Sequence, residues 1–321
     1  MFRALFLAGL ALLAAPALAR GPGSYPAPTR EEMVAVPGGR VYVRVNGDLN
    51  GPLPPVVFLH GGPGGVSATY LDALPLADER AVILYDQLDS GRSDRPGDPK
   101  NWKVARFIDE LEAVRTTLGI KRWHVVGHSW GGTIALEYAA RHADVLASVV
   151  LASPLISTKS WLADAKILRA QLPRAIQIDL DRCERHQSPP NEICDAAMTA
   201  FYKAYNGRAG VSDGVRADIK ASGGLNDRIY MAMWGKSEFS STGTLRNYNG
   251  EPLLARLPGE RTLFMVGQYD EARPETVGRF AARTPGAEFA VIPGAAHGTF
   301  TDRPVETVAI LRAWMERHDS L

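Results

Sequence analysis

Short strand-like runs, the first two of them wholly apolar, recur along the chain with room for a helix between most of them. Val56-Val57-Phe58-Leu59 and Ala81-Val82-Ile83-Leu84-Tyr85 come first, followed by Arg122 to Val126 and Ser148 to Ala152. Thr262 to Val266 and Glu288 to Ile292 complete the set. Continuous rather than alternating hydrophobicity is expected of strands covered on both faces. Met33 to Val36 and Val41 to Val45 alternate instead, around Pro37-Gly38-Gly39, which predicts an opening hairpin. Helical spacing holds from Val104 to Leu118 and stops at Gly119; it returns over Thr133 to Ala140 and over Val305 to Arg317. Strand and helix in alternation predict an α/β protein, with a mainly parallel sheet and helices on both faces. From residue 156 to residue 255 strand-like runs vanish and the texture is helical with polar breaks, such as Gln187-Ser188-Pro189-Pro190-Asn191. The predicted organisation is a core in two parts, 20–155 and 256–321, interrupted by a helical lid over 156–255.

Residues 1–19 stand apart. Arg3 precedes a short apolar stretch, and Ala17-Leu18-Ala19 supplies a small-x-small cleavage pattern. A membrane span needs about 20 apolar residues, so a cleaved signal peptide is expected in preference to a retained anchor. That implies a periplasmic or secreted protein. The two cysteines, Cys183 and Cys194, would then meet an oxidising compartment, which favours a bridge over two buried free thiols. Across the 321 residues, 45% are hydrophobic and 22% charged, as a large buried core requires. Lys and Arg number 36 against 35 Asp and Glu, and no basic run occurs, which removes any argument for a nucleic-acid partner.

Chemistry enters at Gly127-His128-Ser129-Trp130-Gly131, set between the Trp123–Val126 run and the Thr133–Ala140 helix. Gly-x-Ser-x-Gly between strand and helix is a nucleophile elbow, the mark of the α/β-hydrolase fold. A serine hydroxyl needs a base to take its proton, and the base needs an orienting carboxylate. In this fold serine, acid and histidine follow in that order. Asp270 comes just after the Thr262–Val266 run and His297 just after the Glu288–Ile292 run, so both are expected at the sheet edge that carries Ser129. His128 adjoins the nucleophile on a turn that points it elsewhere. His60, His142, His186 and His318 are placed worse still, and Asp89, Asp94 and Asp302 are the weaker acids. Two N–H donors must hold the oxyanion. Trp130 is one, directly after the nucleophile; Gly62 is the other, from the loop His60-Gly61-Gly62-Pro63-Gly64-Gly65. No Gly-Lys-Ser/Thr or GxGxxG pattern accompanies that loop, which excludes a phosphate cradle.

Three segments together resemble the proline iminopeptidases, α/β-hydrolase serine peptidases that remove an N-terminal residue. They are His60-Gly61-Gly62-Pro63-Gly64, Asp86-Gln87-Leu88-Asp89-Ser90-Gly91-Arg92-Ser93 and Gly127-His128-Ser129-Trp130-Gly131-Gly132. The likeness spans about residues 33–317. Asp89 departs from it, since the family commonly has glycine there, and a changed turn is expected. Met233 to Phe239, Thr242 to Leu245 and Gly267 to Glu271 are similar to the tricorn-interacting aminopeptidase and amino-acid amidase branch. That resemblance implies that Glu238 and Glu271 hold the free α-ammonium of the substrate.

The function expected is a serine aminopeptidase acting on short peptides or amino-acid amides through an acyl-enzyme, with neither metal nor organic cofactor. The preferred first residue, proline included, stays open, as does the oligomeric state. An esterase or lactonase on the same scaffold is the near alternative, and a catalytically dead exported binding protein the distant one. Dehalogenase and epoxide-hydrolase chemistry is disfavoured, because Ser129 stands where those enzymes need a carboxylate.

Overall fold

The computed structural model describes residues 25–184 and 191–320; the expected leader, 1–19, lies outside them. Strands are β1 (Arg30–Val36), β2 (Gly39–Asn46), β3 (Val56–Leu59), β4 (Val82–Tyr85), β5 (Trp123–His128), β6 (Leu146–Ala152), β7 (Thr262–Gly267) and β8 (Glu288–Ile292). They form one sheet in the order β1-β2-β4-β3-β5-β6-β7-β8. The β1–β2 and β2–β4 pairs are antiparallel, and every pair from β4 to β8 is parallel.

Strands β3 to β7 are buried along almost their whole length, and their alternate residues feed two separate cores. Val57, Leu59, Ile83 and Val125 face the first. That core is closed by Leu111 and Val114 of α1 (Val104–Thr117), Ile134 of α2 (Trp130–Ala139), and Val277 and Phe280 further along the chain. Val56, Phe58, Val82 and Val126 face the second, closed by Leu71 and Leu74 together with Leu311 and Trp314. This is why the strands read as unbroken apolar runs. β8 is one of the two edge strands, and Phe289 and Val291 are correspondingly exposed.

Between β6 and β7 the chain forms α3 (Thr158–Gln171), α4 (Arg174–Glu184), α5 (Asn191–Tyr205), α6 (Asp213–Ala221) and α7 (Asp227–Met233). Leu168, Leu172, Leu180, Ala197 and Phe201 give part of this region its own small core. A Cys183–Cys194 disulfide staples α4 to α5. A loop that short is worth roughly 2–3 kcal/mol in a chain-entropy account. After β7 come α8 (Pro274–Ala282), α9 (Thr299–Asp302) and α10 (Pro304–Glu316). Two of the longer core elements have no counterpart in the sequence pattern. One is α8, begun by a proline at its first turn. The other is a run of 3₁₀ turns over Ser67–Asp78 with Pro75 inside it.

At Asp89 the turn takes the backbone conformation that a glycine would adopt. Asp89 sits at φ +66°, a conformation that favours glycine. Its buried carboxylate accepts from Gly97 N (2.7 Å) and from the Trp102 indole (2.8 Å), and its carbonyl from Asn226 Nδ2 (2.7 Å). Three fixed partners offset the conformational cost, and the turn becomes an anchor for the segment leading into α7.

Candidate active site

The elbow is as tight as its motif demands. Ser129 occupies φ +56°, ψ −119° between β5 and α2, a strained conformation that only an over-determined surrounding maintains. Ser129 N donates to Ala152 O at 3.0 Å, and Gly132 N and Leu155 N donate to Ser129 O at 2.9 and 3.1 Å. A Cβ on Gly127 would lie 2.2 Å from Gly131 O, and one on Gly131 would lie 2.0 Å from Leu59 O. Both positions therefore require glycine, so that α2 can start directly on β3 and β5.

Asp270 and His297 come from the loops after β7 and β8, and the structure brings them together: His297 Nδ1 lies 2.8 Å from Asp270 Oδ1. The carboxylate is pinned by Ala272 N (2.8 Å), Gly267 N (3.1 Å) and Ser153 Oγ (2.5 Å). Burial alone would push the His297 imidazole down. The carboxylates of Asp270, Glu271 and Glu238 overcome it and raise the group to about 9. Among the described residues no hydrogen bond joins the imidazole to Ser129 Oγ; Nε2 instead has Glu271 Oε1 at 3.7 Å. Catalytic hydrogen bonds of this kind commonly tighten only with substrate in place.

His128 corrects one expectation. Its side chain does not turn away: its ring packs 4.6 Å from that of His297, and its Nε2 donates to the His297 carbonyl at 2.7 Å. Burial, then the neighbouring imidazole, lowers it to about 3, so it stays neutral and serves as a fixed donor.

Glu271 is almost wholly buried, at 2% exposure. Oε1 accepts from Asn206 Nδ2 at 2.6 Å, and Oε2 is buried with no hydrogen-bond partner. Burial, with Glu238 adding to it, raises Glu271 well above the ordinary carboxylate range. Glu238 is half-buried, accepts from the Tyr230 hydroxyl, and is likewise raised by burial. The end of α5 ties this region to both core loops. Tyr205 O accepts from Glu271 N and His297 N, each at 3.1 Å, and Asn206 O accepts from Gly298 N at 2.7 Å. Carbonyls that a helix end leaves unpaired are thus satisfied by the loops that carry Asp270, Glu271 and His297.

Gly62, at φ +112°, has no room for a side chain, since its Cβ would lie 2.7 Å from both Gly64 N and Gly65 N. The backbone can therefore line the cavity directly. Gln87 fastens this loop to the elbow. Its amide donates to His60 O (2.9 Å) while its carbonyl oxygen accepts from the Trp130 indole (2.9 Å). His60, held neutral by burial, accepts from Gln87 N at 3.0 Å. Gln87, Ser153, His128 and Asn206 thus support the site without having been assigned a part from sequence. Gln87 lay within a recognised motif, and Ser153 directly follows β6 at the same sheet edge. Asn206 offers no sequence signal.

Ser129, His128, His297, Glu238, Tyr230 and Gly62 open onto one cavity of about 390 Å³. Among the described residues no group of three or more His, Cys, Asp or Glu could hold a metal ion. None of their helices is long and apolar enough to cross a membrane.

A parallel sheet bearing a strained serine at its carboxyl edge, with a paired histidine and aspartate beside it, defines an α/β-hydrolase, and the model of the alpha/beta hydrolase fold family matches residues 54–304. A proline iminopeptidase of Heyndrickxia coagulans is 37% identical over 88% of this chain and 96% of its own. One of Levilactobacillus brevis is 33% identical over 91% of this chain and 98% of its own. The crystal structure of the Mycobacterium smegmatis proline iminopeptidase superposes with a TM-score of 0.81, at 30% identity, covering 90% of this chain and 99% of that one. The chain belongs to the proline iminopeptidase family and is a hydrolase of that aminopeptidase type.

Proposed function

We propose that the protein is a serine aminopeptidase releasing the first residue of short peptides or amino-acid amides through an acyl-enzyme. Ser129 attacks the carbonyl that follows the first residue. His297 takes the serine proton and passes it to the departing amine, while Asp270 fixes the tautomer and orientation of the ring. The N–H groups of Gly62 and Trp130 receive the developing oxyanion. Water, deprotonated by the same imidazole, then hydrolyses the ester.

Glu271 Oε2, a buried acceptor without a partner beside the base, is the observation that carries this reading. An unpaired carboxylate oxygen is costly to bury, and a substrate α-ammonium between Glu271 and Glu238 would remove that cost. An internal peptide bond brings no such charge, so the arrangement selects a chain end. The Cys183–Cys194 bridge supports an exported protein, since disulfides persist in oxidising compartments.

The test compares aminoacyl arylamides with their N-acetyl forms and with simple esters. The expected result is a loss of kcat/KM of about 10²-fold or more on acetylation, the order of one or two charge-assisted hydrogen bonds. Equal rates on acetylated substrates, or a preference for uncharged esters, would favour an esterase or lactonase instead.

A further inference from the structure

The cavity has two ends of different chemistry, and only one is used by the amine anchor. A line of contacts runs through the site, and at one end His297 Nε2 has Glu271 Oε1 at 3.7 Å. The Trp161 indole donates to Glu238 O at 3.1 Å and lies 5.5 Å from the His297 ring; His297 is followed by His128, and His128 by Tyr70 and Phe300, each at 6.3 Å. Trp161 and Tyr230 pack with the first core, whereas Tyr70, Phe300, Val66, Val211 and Ile219 pack with the second. The catalytic imidazole therefore stands between the amine anchor and a separate apolar wing.

That wing carries no cation: neither Lys nor Arg is among the described residues lining the cavity. Its two threonine hydroxyls are already spent, Thr69 Oγ1 donating to Val66 O and Thr301 Oγ1 to Gly298 O, both at 2.9 Å. Val66, Tyr70, Val211, Ile219 and Phe300 supply the walls, and Leu225, 47% exposed, stands at the rim.

We infer that this wing is the leaving-group subsite and that the preferred substrates are free-amine aminoacyl amides whose departing amine is apolar and uncharged. This rests on the aminopeptidase reading. With the α-ammonium at the glutamates and the scissile carbonyl at Ser129, the group beyond the broken C–N bond must lie past His297, in the wing. The proton that His297 took from Ser129 goes to that amine nitrogen as the bond breaks. A carboxylate there would lose its hydration and meet no cation. Apolar carbons would be removed from water against walls already built.

Two substrate series with one aminoacyl group test this in the intact protein. Along N-alkyl amides from methyl to hexyl, whose leaving amines are of nearly equal basicity, kcat/KM is expected to rise about fourfold per buried methylene until the wing is full. An aminoacyl-leucine amide is expected to exceed the same dipeptide with a free carboxylate by at least tenfold. Leu225→Lys, at the rim and outside the catalytic machinery, is expected to shrink that amide-over-carboxylate ratio severalfold while leaving the discrimination against N-acetyl substrates unchanged. A flat alkyl series, or equal rates on amide and free acid, with acetyl discrimination intact, overturns the subsite and spares the aminopeptidase reading. Loss of acetyl discrimination in the unaltered protein overturns both.

Discussion

Ser129→Ala is expected to lower kcat about 10⁵- to 10⁶-fold while moving KM by no more than a few-fold. Removal of the attacking oxygen leaves only the oxyanion donors and substrate positioning, which retain a small residual rate over water. Ser129 is half-buried and lines the cavity, and alanine meets the same φ of +56°, so the fold should survive. A circular dichroism spectrum and thermal midpoint close to those of the parent would show that. Because nucleophile and base act as one unit, adding His297→Ala to Ser129→Ala should cost almost nothing further. Asp270→Asn, which leaves the imidazole without its anionic partner, should cost about 10⁴-fold. Steady-state kinetics on one aminoacyl arylamide would measure all three. Residual activity above one per cent in Ser129→Ala would remove this serine from the mechanism.

Glu271→Gln should alter both the rate and its pH dependence, and the two effects have different causes. Against the opposing effect of burial, Asp270, Glu271 and Glu238 raise the His297 imidazole to about 9 in the free enzyme. Below that pH the ring is charged and cannot take the serine proton, so kcat/KM climbs with pH towards about 9. With the Glu271 charge removed, the protonated ring is stabilised less, and this acid limb must move to lower pH. The amide also loses one charge-assisted contact to the α-ammonium. At the optimum, kcat/KM for free-amine substrates should therefore fall about one to two orders of magnitude. A neutral ester, indifferent to the amine anchor, should instead gain rate near pH 7, where more of the base is free. An acid limb that stays fixed, or moves upward, would show that Glu271 does not act on the imidazole.

The same coupling links the carboxylates, the imidazole and the charge of the substrate. Two raised carboxylates and a raised imidazole share one buried region, and a substrate cation would stabilise the ionised carboxylates while repelling a charged ring.

Much of this was legible in the chain because the governing rules are local. Val56 to Leu59 and Val82 to Tyr85 announce doubly covered strands by lacking polar positions, and Gly127 and Gly131 are forced by atoms within a few residues or one strand away. The order Ser129, Asp270, His297 follows from where each loop leaves the sheet. What could not be read depends on distant chain segments meeting. Gln87 bridges His60 and Trp130 only because β3, β4 and β5 lie side by side. Ser153 reaches Asp270 because β6 and β7 are neighbours. Asn206 meets Glu271 only after the α5 end docks on the two core loops. The placement of His128 is not local either: turn geometry says where the backbone goes, whereas the ring is held by the His297 carbonyl, which is remote in sequence. The Ser67–Asp78 segment was missed because 3₁₀ turns with an internal proline lack a helical apolar period.

Mass spectrometry after treatment with a fluorophosphonate tests the central claim most directly, since such reagents phosphonylate a serine far faster when a neighbouring base has activated its oxygen. A single adduct on the tryptic peptide containing Ser129, absent in Ser129→Ala and reduced at least a hundredfold in rate in His297→Ala, is the predicted result. An unlabelled parent protein, or labelling that proceeds equally without His297, would contradict it.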